Sequence, residues 1–567
     1  MLNSTIEKTL IKLLAIGSAF ITVFIVVGPV ADPVNVSKFL VAGVLSFGVA
    51  ALLIRSGLNS QIKNNKLFVG SLVLFLLTSI SSVVFSDVPF TQNLYGEAGR
   101  NTGFLTYFCL GLIALGGASL SEREGFRKIL YGFFAAGFVN LVYGLWAWLF
   151  GDFVAWNNIY GNLLGTFGNP NFMGAFLGML GTAFVAYAAA PGQSWKVRIV
   201  ALVLWVITFL EILQTNAVQG LVLITGGLAL VGLFLLASKA KTIVIPAIYI
   251  SIVSLLGFIA VAGALQKGPL AEYIYKRSVS LRGSYWQTAI NIGLDNPLTG
   301  VGMDSYGTFY RKYRTVGAAT DMPGPETTTN AAHSVPLDFL AYGGFPLFIA
   351  YLLIVVISAV ALAKTARRLI SYDPVFVALA SIWICYQIQS IISINQLGLA
   401  VWGWLLSGLM ISYERITRPQ EQLIDSKGIQ SKSNKKSKEP VVAAGLIASV
   451  GMVVGLLIAL PPYTSDYKYL KAMNSQNLEK IEDALKPSYF NPIAFYRIVG
   501  VVGALERSEL PDIAIVYARQ AVEFSPNEYD AWKTLYRATA STPEEKTKAK
   551  KMMLLTDPLN KTNKELP

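Results

Sequence analysis

Thirteen apolar windows dominate the sequence, and each is long enough to form a helix across a membrane. About 20 helical residues are needed to cross roughly 30 Å of hydrocarbon. Of the 567 residues, 54% are hydrophobic and only 14% are charged, which is typical of a polytopic membrane protein and excludes a single soluble domain. The sequence therefore predicts an all-α bundle of about 12–13 transmembrane helices. The windows lie near residues 9–30, 38–54, 67–87, 103–120, 129–150, 171–190, 199–214, 219–237, 242–265, 343–363, 374–393, 398–412 and 441–462.

Lysine and arginine are distributed unevenly between the predicted loops. A net charge of +13 would suggest a nucleic-acid partner in a soluble protein, but here the cations concentrate in alternate loops. The other short loops carry a single cation, Arg100; they span residues 31–37, 88–102, 151–170, 215–218 and 394–397. Because cytoplasmic loops collect Lys and Arg, the N-terminus is predicted to be cytoplasmic. The protein is predicted to lie in the inner or plasma membrane. The cations are explained by this orientation, so no nucleic-acid partner is expected.

A polar stretch, residues 266–336, separates two apolar windows and is predicted to lie outside the cytoplasm. Connections of that length are uncommon in compact chains and are often functional. The stretch begins with cations around Arg277 and Arg282, has a turn-rich centre, and ends near His333, the only histidine of the chain. We expect the chemistry of the protein to be located here.

The windows and loops divide the chain into four predicted parts. Residues 1–413 form the membrane domain, and 414–440 form a flexible, basic linker in the cytoplasm. Residues 441–463 are the last span, which delivers residues 464–567 to the outer side. Neither Cys109 nor Cys385 has the spacing of a metal site, because each lies alone inside an apolar window.

The last hundred residues have the character of a soluble helical domain. Prolines at 492, 526 and 558 mark breaks at a spacing near the 34 residues of a tetratricopeptide repeat. Ala518 and Ala521 fit the positions where paired helices touch, and Trp532 fits the start of the next helix. The region resembles such a repeat, whose concave surface commonly binds peptides.

Three motifs in the polar stretch resemble the signature loop of the O-antigen ligase and polymerase superfamily, which includes protein O-oligosaccharyltransferases. Two segments earlier in the chain, 96–103 and 168–171, resemble the first external loop and a helix entry of the same superfamily. The three loop motifs are Arg282-x3-Trp286, Pro297-x2-Gly300-x-Gly302 and Ala332-His333-Ser334.

The resemblance implies a fold similar to type C glycosyltransferases and a reaction without metal or cofactor. Members take a glycan from an undecaprenyl diphosphate carrier and attach it, with inversion, to an acceptor hydroxyl. Such a transfer needs a positively charged group of the protein beside the departing diphosphate and a base near the acceptor hydroxyl. Arg282 and His333 match the motif positions, and they are the predicted catalytic pair.

Further candidates for substrate binding are cations or amides expected on the same side. Where the superfamily often has a second phosphate-binding arginine, this chain has the uncharged Gln219. An acidic residue often found near the Gly-Gly after the histidine is also missing, and Ala341-Tyr342 stands there. The substrate-binding candidates are Arg100, Arg277, Arg311, Arg314, Gln219 and Asn171.

Several functions remain open at this stage. Ligase, polymerase and protein glycosyltransferase differ in their acceptor, which is a protein, a glycolipid or a polysaccharide, and the motifs do not encode it. The repeat-like domain favours a protein or large polymer. A polysaccharide transporter or flippase is the alternative from another class, for which internal repeats and interrupted helices would be expected. A plain surface role for His333 and a lipid-headgroup role for the arginines are the simpler readings.

Overall fold

The structure, a computed structural model, describes residues 4–57, 64–239, 242–274, 277–419 and 441–566. Most of the predicted cytoplasmic linker therefore lies outside the described residues. Within them, the regular structure is helical apart from one antiparallel bridge between Ser488 and Asn491.

In chain order the helices are α1 (Ser4–Val23), α2 (Asn35–Arg55), α3 (Lys66–Val84), α4 (Phe90–Tyr95), α5 (Phe104–Ala118), α6 (Arg123–Phe150), α7 (Pro170–Ala188), α8 (Trp195–Thr215), α9 (Val218–Lys239), α10 (Val244–Ala264), α11 (Ala271–Ile274), α12 (Arg277–Asp295), α13 (Tyr306–Tyr313), α14 (Val316–Thr320), α15 (Val335–Arg368), α16 (Pro374–Ile392), α17 (Leu397–Ile416), α18 (Val441–Ser475), α19 (Leu478–Leu485), α20 (Phe495–Arg507), α21 (Pro511–Phe524), α22 (Tyr529–Arg537), α23 (Pro543–Thr556) and α24 (Thr562–Glu565).

Eleven of the described helices are long and apolar enough to cross a membrane, and each matches a predicted window. The remaining two windows are also helical. Helix α5 has only 15 residues, and α1 carries Glu7, Lys8 and Lys12 in its first half, so both fall outside that count. The chain is therefore a polytopic helical membrane protein, as the apolar windows predict.

Polar contacts tie several cation-rich connections together at one end of the bundle. At one end, Arg415 donates from Nη1 to Asn65 Oδ1 at 2.7 Å and to the Ala118 carbonyl at 2.9 Å, and Arg368 pairs with Glu414 at 2.8 Å. These contacts gather several cation-rich connections on one side. The short helices α4 and α11–α14 belong to the connections at the other end, which we call the loop face. Which end is cytoplasmic stays a prediction.

Helix α15 is broken at Gly343 and Gly344, and the polar loop binds to the break. Gly344 has φ +64°, in the left-handed region that favours glycine, so the backbone leaves the helix there. The freed groups are satisfied by residues 297–302: the N–H groups of Val301 and Gly302 donate to the carbonyls of Ala341 and Tyr342, both at 3.0 Å. The loop and the start of α15 therefore form one unit.

An aromatic cluster supports the short helical segment before this break. The Phe339 ring lies 5.2 Å from Phe75 and 4.8 Å from Tyr107, in edge-to-face geometry. Tyr351, beyond the break, lies 4.7 Å from Phe339, and Trp404 of α17 closes the cluster against Phe75 at 5.3 Å. Such pairs contribute about 0.5–1.5 kcal/mol each beyond burial. They fix the segment that follows His333.

The C-terminal helices α19–α23 have a hydrophobic core of their own, separate from that of the bundle. Ala518 and Ala521 are fully buried where α21 packs on its neighbours, and Trp532 of α22 is also buried, as the repeat pattern predicts for these positions. Helix α18 continues from the last span into this domain. The assignment to the tetratricopeptide class stays a prediction.

Replacement of Gly344 by alanine should destabilise the loop face. A Cβ there would meet the Pro297 carbonyl oxygen and would also have to adopt a positive φ. We expect the free energy of unfolding to fall by on the order of 2–3 kcal/mol, measured as a lower thermal unfolding midpoint in detergent. Gly257→Ala in α10 is the control, since a Cβ there has no neighbour within 4 Å. Equal midpoints for both variants would contradict the role given to the break.

Candidate functional site

His333 lies on the loop face, immediately before α15. Its backbone has φ +56°, a conformation that costs a non-glycine residue about 1–3 kcal/mol and that recurs at functional sites. The ring lies 5.3 Å from the Tyr285 ring, and Nδ1 is 3.2 Å from the Ala331 carbonyl oxygen. Because a carbonyl can only accept, this contact places the proton on Nδ1. Nε2 is left with a free lone pair.

The surroundings of His333 keep the imidazole neutral. Burial lowers its pKa to about 4; the Ala331 carbonyl opposes this shift, and the charges of Arg282 and Arg100 add to it. At neutral pH the ring is therefore a proton acceptor. An anion bound beside these two arginines would offset their charge and raise the pKa of His333 again.

Arg282 lies on α12, one helical turn before Trp286, so both side chains project from the same helix face. Burial lowers the pKa of Arg282, although a guanidinium stays charged in any protein environment. Among the described residues, neither Arg282 Nε nor Trp286 Nε1 has a hydrogen-bond acceptor, and both atoms are buried. An unmet buried donor costs about 1–3 kcal/mol. The pair is suited to an acceptor-rich ligand.

Arg100 is buried in the floor of the site by contacts with three segments. Its Nη2 lies 3.1 Å from Asp304 Oδ1 and donates to the Tyr342 hydroxyl at 3.1 Å, and Nη1 donates to the Asn330 carbonyl. Burial, the largest single effect, would lower the pKa of Arg100, but Asp304, Tyr342, Asp338 and Glu97 together outweigh it and the pKa is raised. Only 7% of the residue is exposed, so Arg100 shapes the field at His333 from below.

Asp304 and Tyr342 contact Arg100 in the candidate site, and neither is among the site residues predicted from the sequence. The Tyr342 hydroxyl donates to Asp304 Oδ1 at 3.1 Å, and the second carboxylate oxygen accepts from the N–H groups of Glu97 at 2.9 Å and Thr102 at 3.3 Å. A carboxylate of the loop thus lies next to the Tyr342 hydroxyl, close to Gly343-Gly344. The only sequence signal is the Asp two residues after Gly302.

Arg311 and Arg314 form a second cluster, at the contact with the C-terminal domain. Arg314 Nη2 grips both oxygens of Asp557 at 2.7 and 2.9 Å, and Arg311 Nη1 reaches the same carboxylate at 3.2 Å. Arg311 also stacks over the Tyr529 ring at 4.5 Å. Both guanidinium groups hold the domain onto the loop. Their role in substrate binding stays a prediction. To bind substrate, the two guanidinium groups would have to do so while they also contact Asp557.

The other predicted residues lie at helix starts. Gln219, near the start of α9, is 2% exposed, and neither amide atom has a partner among the described residues. Asn171 is exposed at the start of α7, where its N–H donates to Asn169 Oδ1 at 2.9 Å. Helices α7 and α9 pack together, so these two starts adjoin. The side chain of Arg277 lies outside the described part of the chain.

A small cavity of about 40 Å³ separates the first loop from the C-terminal domain. Glu97 and Glu528 line it, and Glu528 Oε1 accepts from the Thr308 hydroxyl at 2.6 Å. Burial raises the pKa of Glu97 to about 8 and that of Glu528 to about 7. The C-terminal domain therefore rests on carboxyl groups that are largely protonated below neutral pH.

Fold and site together define a multi-span helical membrane protein with a histidine, a buried arginine and their supporting loop at one end of the bundle. Residues 202–352 match the model of the family described as O-Antigen ligase. This region runs from α8 past the break in α15 and includes Gln219, Arg282 and His333. This match supports the resemblance to the O-antigen ligase superfamily that the motifs predict. No curated protein matches the chain.

The contact between the C-terminal domain and the loop should weaken as the pH rises. The folded pKa values of Glu97 and Glu528 lie above the ordinary glutamate value of about 4.3, so the docked state binds more protons. The docked state of the C-terminal domain is thus destabilised progressively as the pH rises toward about 8. Hydrogen exchange of residues 306–313, corrected for intrinsic rates, should show easier opening at pH 8.5 than at 5.5. An unchanged pH dependence in the Glu97→Gln, Glu528→Gln double variant would contradict this.

Proposed function

We propose that this protein transfers a glycan from an undecaprenyl diphosphate carrier to an acceptor hydroxyl on the non-cytoplasmic face of a cell membrane. One observation carries the proposal: within the region that matches the O-antigen ligase family, His333 lies near enough to Arg282 for that charge to lower its pKa, and the buried Nε of Arg282 has no acceptor among the described residues. Those are the two groups that a glycosyl transfer from a diphosphate requires.

Arg282 binds the diphosphate of the donor in this proposal. Its unpaired Nε and the indole N–H of Trp286 find acceptors in phosphate oxygens, and the guanidinium charge stabilises the leaving group as negative charge develops on it. Arg100 lies too deep for a direct contact as the site stands, and it contributes positive potential from below. No metal is required in this scheme, because the arginines supply the charge.

His333 acts as the general base. Nε2 takes the proton of the acceptor hydroxyl while that oxygen attacks the anomeric carbon from the face opposite the diphosphate. The bond between the anomeric carbon and the diphosphate oxygen breaks, and its electron pair leaves with the diphosphate, so the product has inverted configuration. The bound diphosphate raises the pKa of His333 from its low resting value, which makes the ring a better base when donor is present.

The acceptor is a protein or another large molecule in this proposal. The C-terminal domain is held over the loop through Asp557 and through Lys533, which pairs with Glu326 at 2.8 Å. A surface so close to the site can present an acceptor chain to His333. O-antigen ligase and protein O-oligosaccharyltransferase activities both fit this arrangement, and a polymerase of the same superfamily is the alternative.

A transporter or flippase is the second candidate, because α15 is interrupted and transporters use interrupted helices near the bilayer midplane. The part of α15 after the break, residues 345–368, is about 36 Å long at 1.5 Å per residue, which is enough to cross the hydrocarbon by itself. The break therefore belongs at the membrane boundary. This position favours the glycosyl transferase.

Substitution of either proposed catalytic residue should strongly lower the rate of transfer without unfolding the protein. In proteoliposomes with an undecaprenyl diphosphate glycan and candidate acceptors, His333→Ala should lower the rate by about 10²- to 10⁴-fold. Arg282→Ala should lose activity, with partial recovery in Arg282→Lys, since lysine keeps the charge but not the planar fork. Arg507→Ala, on the exposed surface of α20, is the control and should be active. Unimpaired transfer by a folded His333→Ala variant would overturn the assigned base.

A further inference from the structure

Two aromatic side chains project from a tight turn of the C-terminal domain. The turn is closed by reciprocal hydrogen bonds between Ser488 and Asn491, at 3.2 and 3.0 Å. At its tip, Tyr489 is 43% exposed and Phe490 is 73% exposed, although a water-soluble domain normally buries such rings. Adjacent exposed aromatic residues on a rigid turn mark an interaction surface.

The turn lies at the depth where the spans enter the bundle. The Tyr489 ring is 5.9 Å from the ring of Tyr95 in α4. Tyr95 is itself 6.1 Å from Phe39, which belongs to the first turns of the span α2. Three rings thus connect the turn to the rim of the membrane domain, so its tip is near the boundary between hydrocarbon and water.

Exposed apolar side chains also lead from a lipid-facing helix toward the turn, with the exposed Asp87 between them. On α3, Leu77 and Val84 are 59% and 67% exposed, and Phe85, directly after the helix, is 69% exposed. Phe90 follows at 59%. A groove beside the turn is lined by Pro89, Phe90 and Thr91, by Pro487, Ser488 and Tyr489, and by Gln520, Glu523 and Phe524 of α21. The exposed apolar side chains of the span therefore lead toward the aromatic turn.

We propose that the Tyr489–Phe490 turn is a membrane anchor that inserts into the interfacial region of the leaflet on the loop face. Aromatic side chains are enriched at that level of a bilayer, and interfacial segments reach about 5–10 Å into the boundary between headgroups and chains. The occupant is lipid, because exposed apolar side chains lead from the lipid-facing side of α3 to the turn. The C-terminal domain is then attached to the membrane twice, through α18 and through this turn.

This anchor would limit rotation of the domain about α18. Such a restraint adds to the salt bridges of Asp557 and keeps the domain over the loop, whichever reaction the loop performs. The inference rests on the placement of exposed rings and is independent of the proposed transfer. A soluble partner or a second copy on the same patch is the competing occupant, and it would leave the turn in water when the isolated chain is reconstituted.

A fluorescent probe at the tip tests the anchor. Phe490→Cys and, separately, Phe90→Cys are labelled with an environment-sensitive nitrobenzoxadiazole dye in nanodiscs that contain one full-length chain. The two natural cysteines are buried, and the unsubstituted chain measures any background labelling. Leu77→Cys on α3 is the lipid reference, and Glu544→Cys, exposed at the start of α23, is the water reference.

The expected result is a blue-shifted emission at both test positions, with stronger quenching by a spin label near the headgroup than by one at the chain end. At the Leu77 position, the spin label at the chain end should quench as strongly as the one near the headgroup, or more strongly. Emission and quenching at Phe490 and Phe90 that equal those of the Glu544 position would overturn the proposal. Because both test residues are exposed, the substitutions leave the core intact, and two positions guard against a local effect of the dye.

Discussion

A buried ion pair between Arg100 and Asp304 holds the loop face together. It joins the connection after α4, the centre of the polar loop and, through the Tyr342 hydroxyl, the start of the broken helix α15. Removing one partner of such a pair costs about 3–5 kcal/mol, because the other charge stays buried without compensation. The backbone around His333 follows from this tie, since Arg100 also binds the carbonyl of Asn330, three residues before the histidine.

The arginines of the polar loop and its surroundings divide by their partners. Arg100 is compensated by Asp304, and Arg311 and Arg314 share Asp557, so these three build structure. Arg282 is different, because it has no carboxylate partner among the described residues, and its buried Nε has no acceptor there either. An anionic substrate gains most binding free energy at a cation that has no carboxylate partner, and Arg282 is such a cation near a neutral histidine. This contrast, more than the number of cations, supports the proposed site.

Much of the fold is predictable from the sequence, because hydrophobic windows of span length have few alternatives in a bilayer. The site is predictable where motif and chemistry coincide, at Arg282 and His333. The ion pair between Arg100 and Asp304 cannot be predicted from the sequence, since these residues are 204 positions apart and meet only after the helices have packed. The same holds for Arg311 and Arg314: their partner Asp557 lies in another domain, and a local pattern cannot distinguish a docking cation from a phosphate ligand.

His333 is the only histidine, so selective isotope labelling gives a single imidazole signal whose pKa can be followed by NMR in nanodiscs. The account predicts a pKa well below the ordinary value of about 6.5 in the free protein, and a rise when undecaprenyl diphosphate is added. The rise should be much smaller in Arg282→Ala, which cannot hold the diphosphate beside the ring. A resting pKa near 6.5, or no response to the diphosphate, would contradict the claim that histidine and arginine share one anion-binding site.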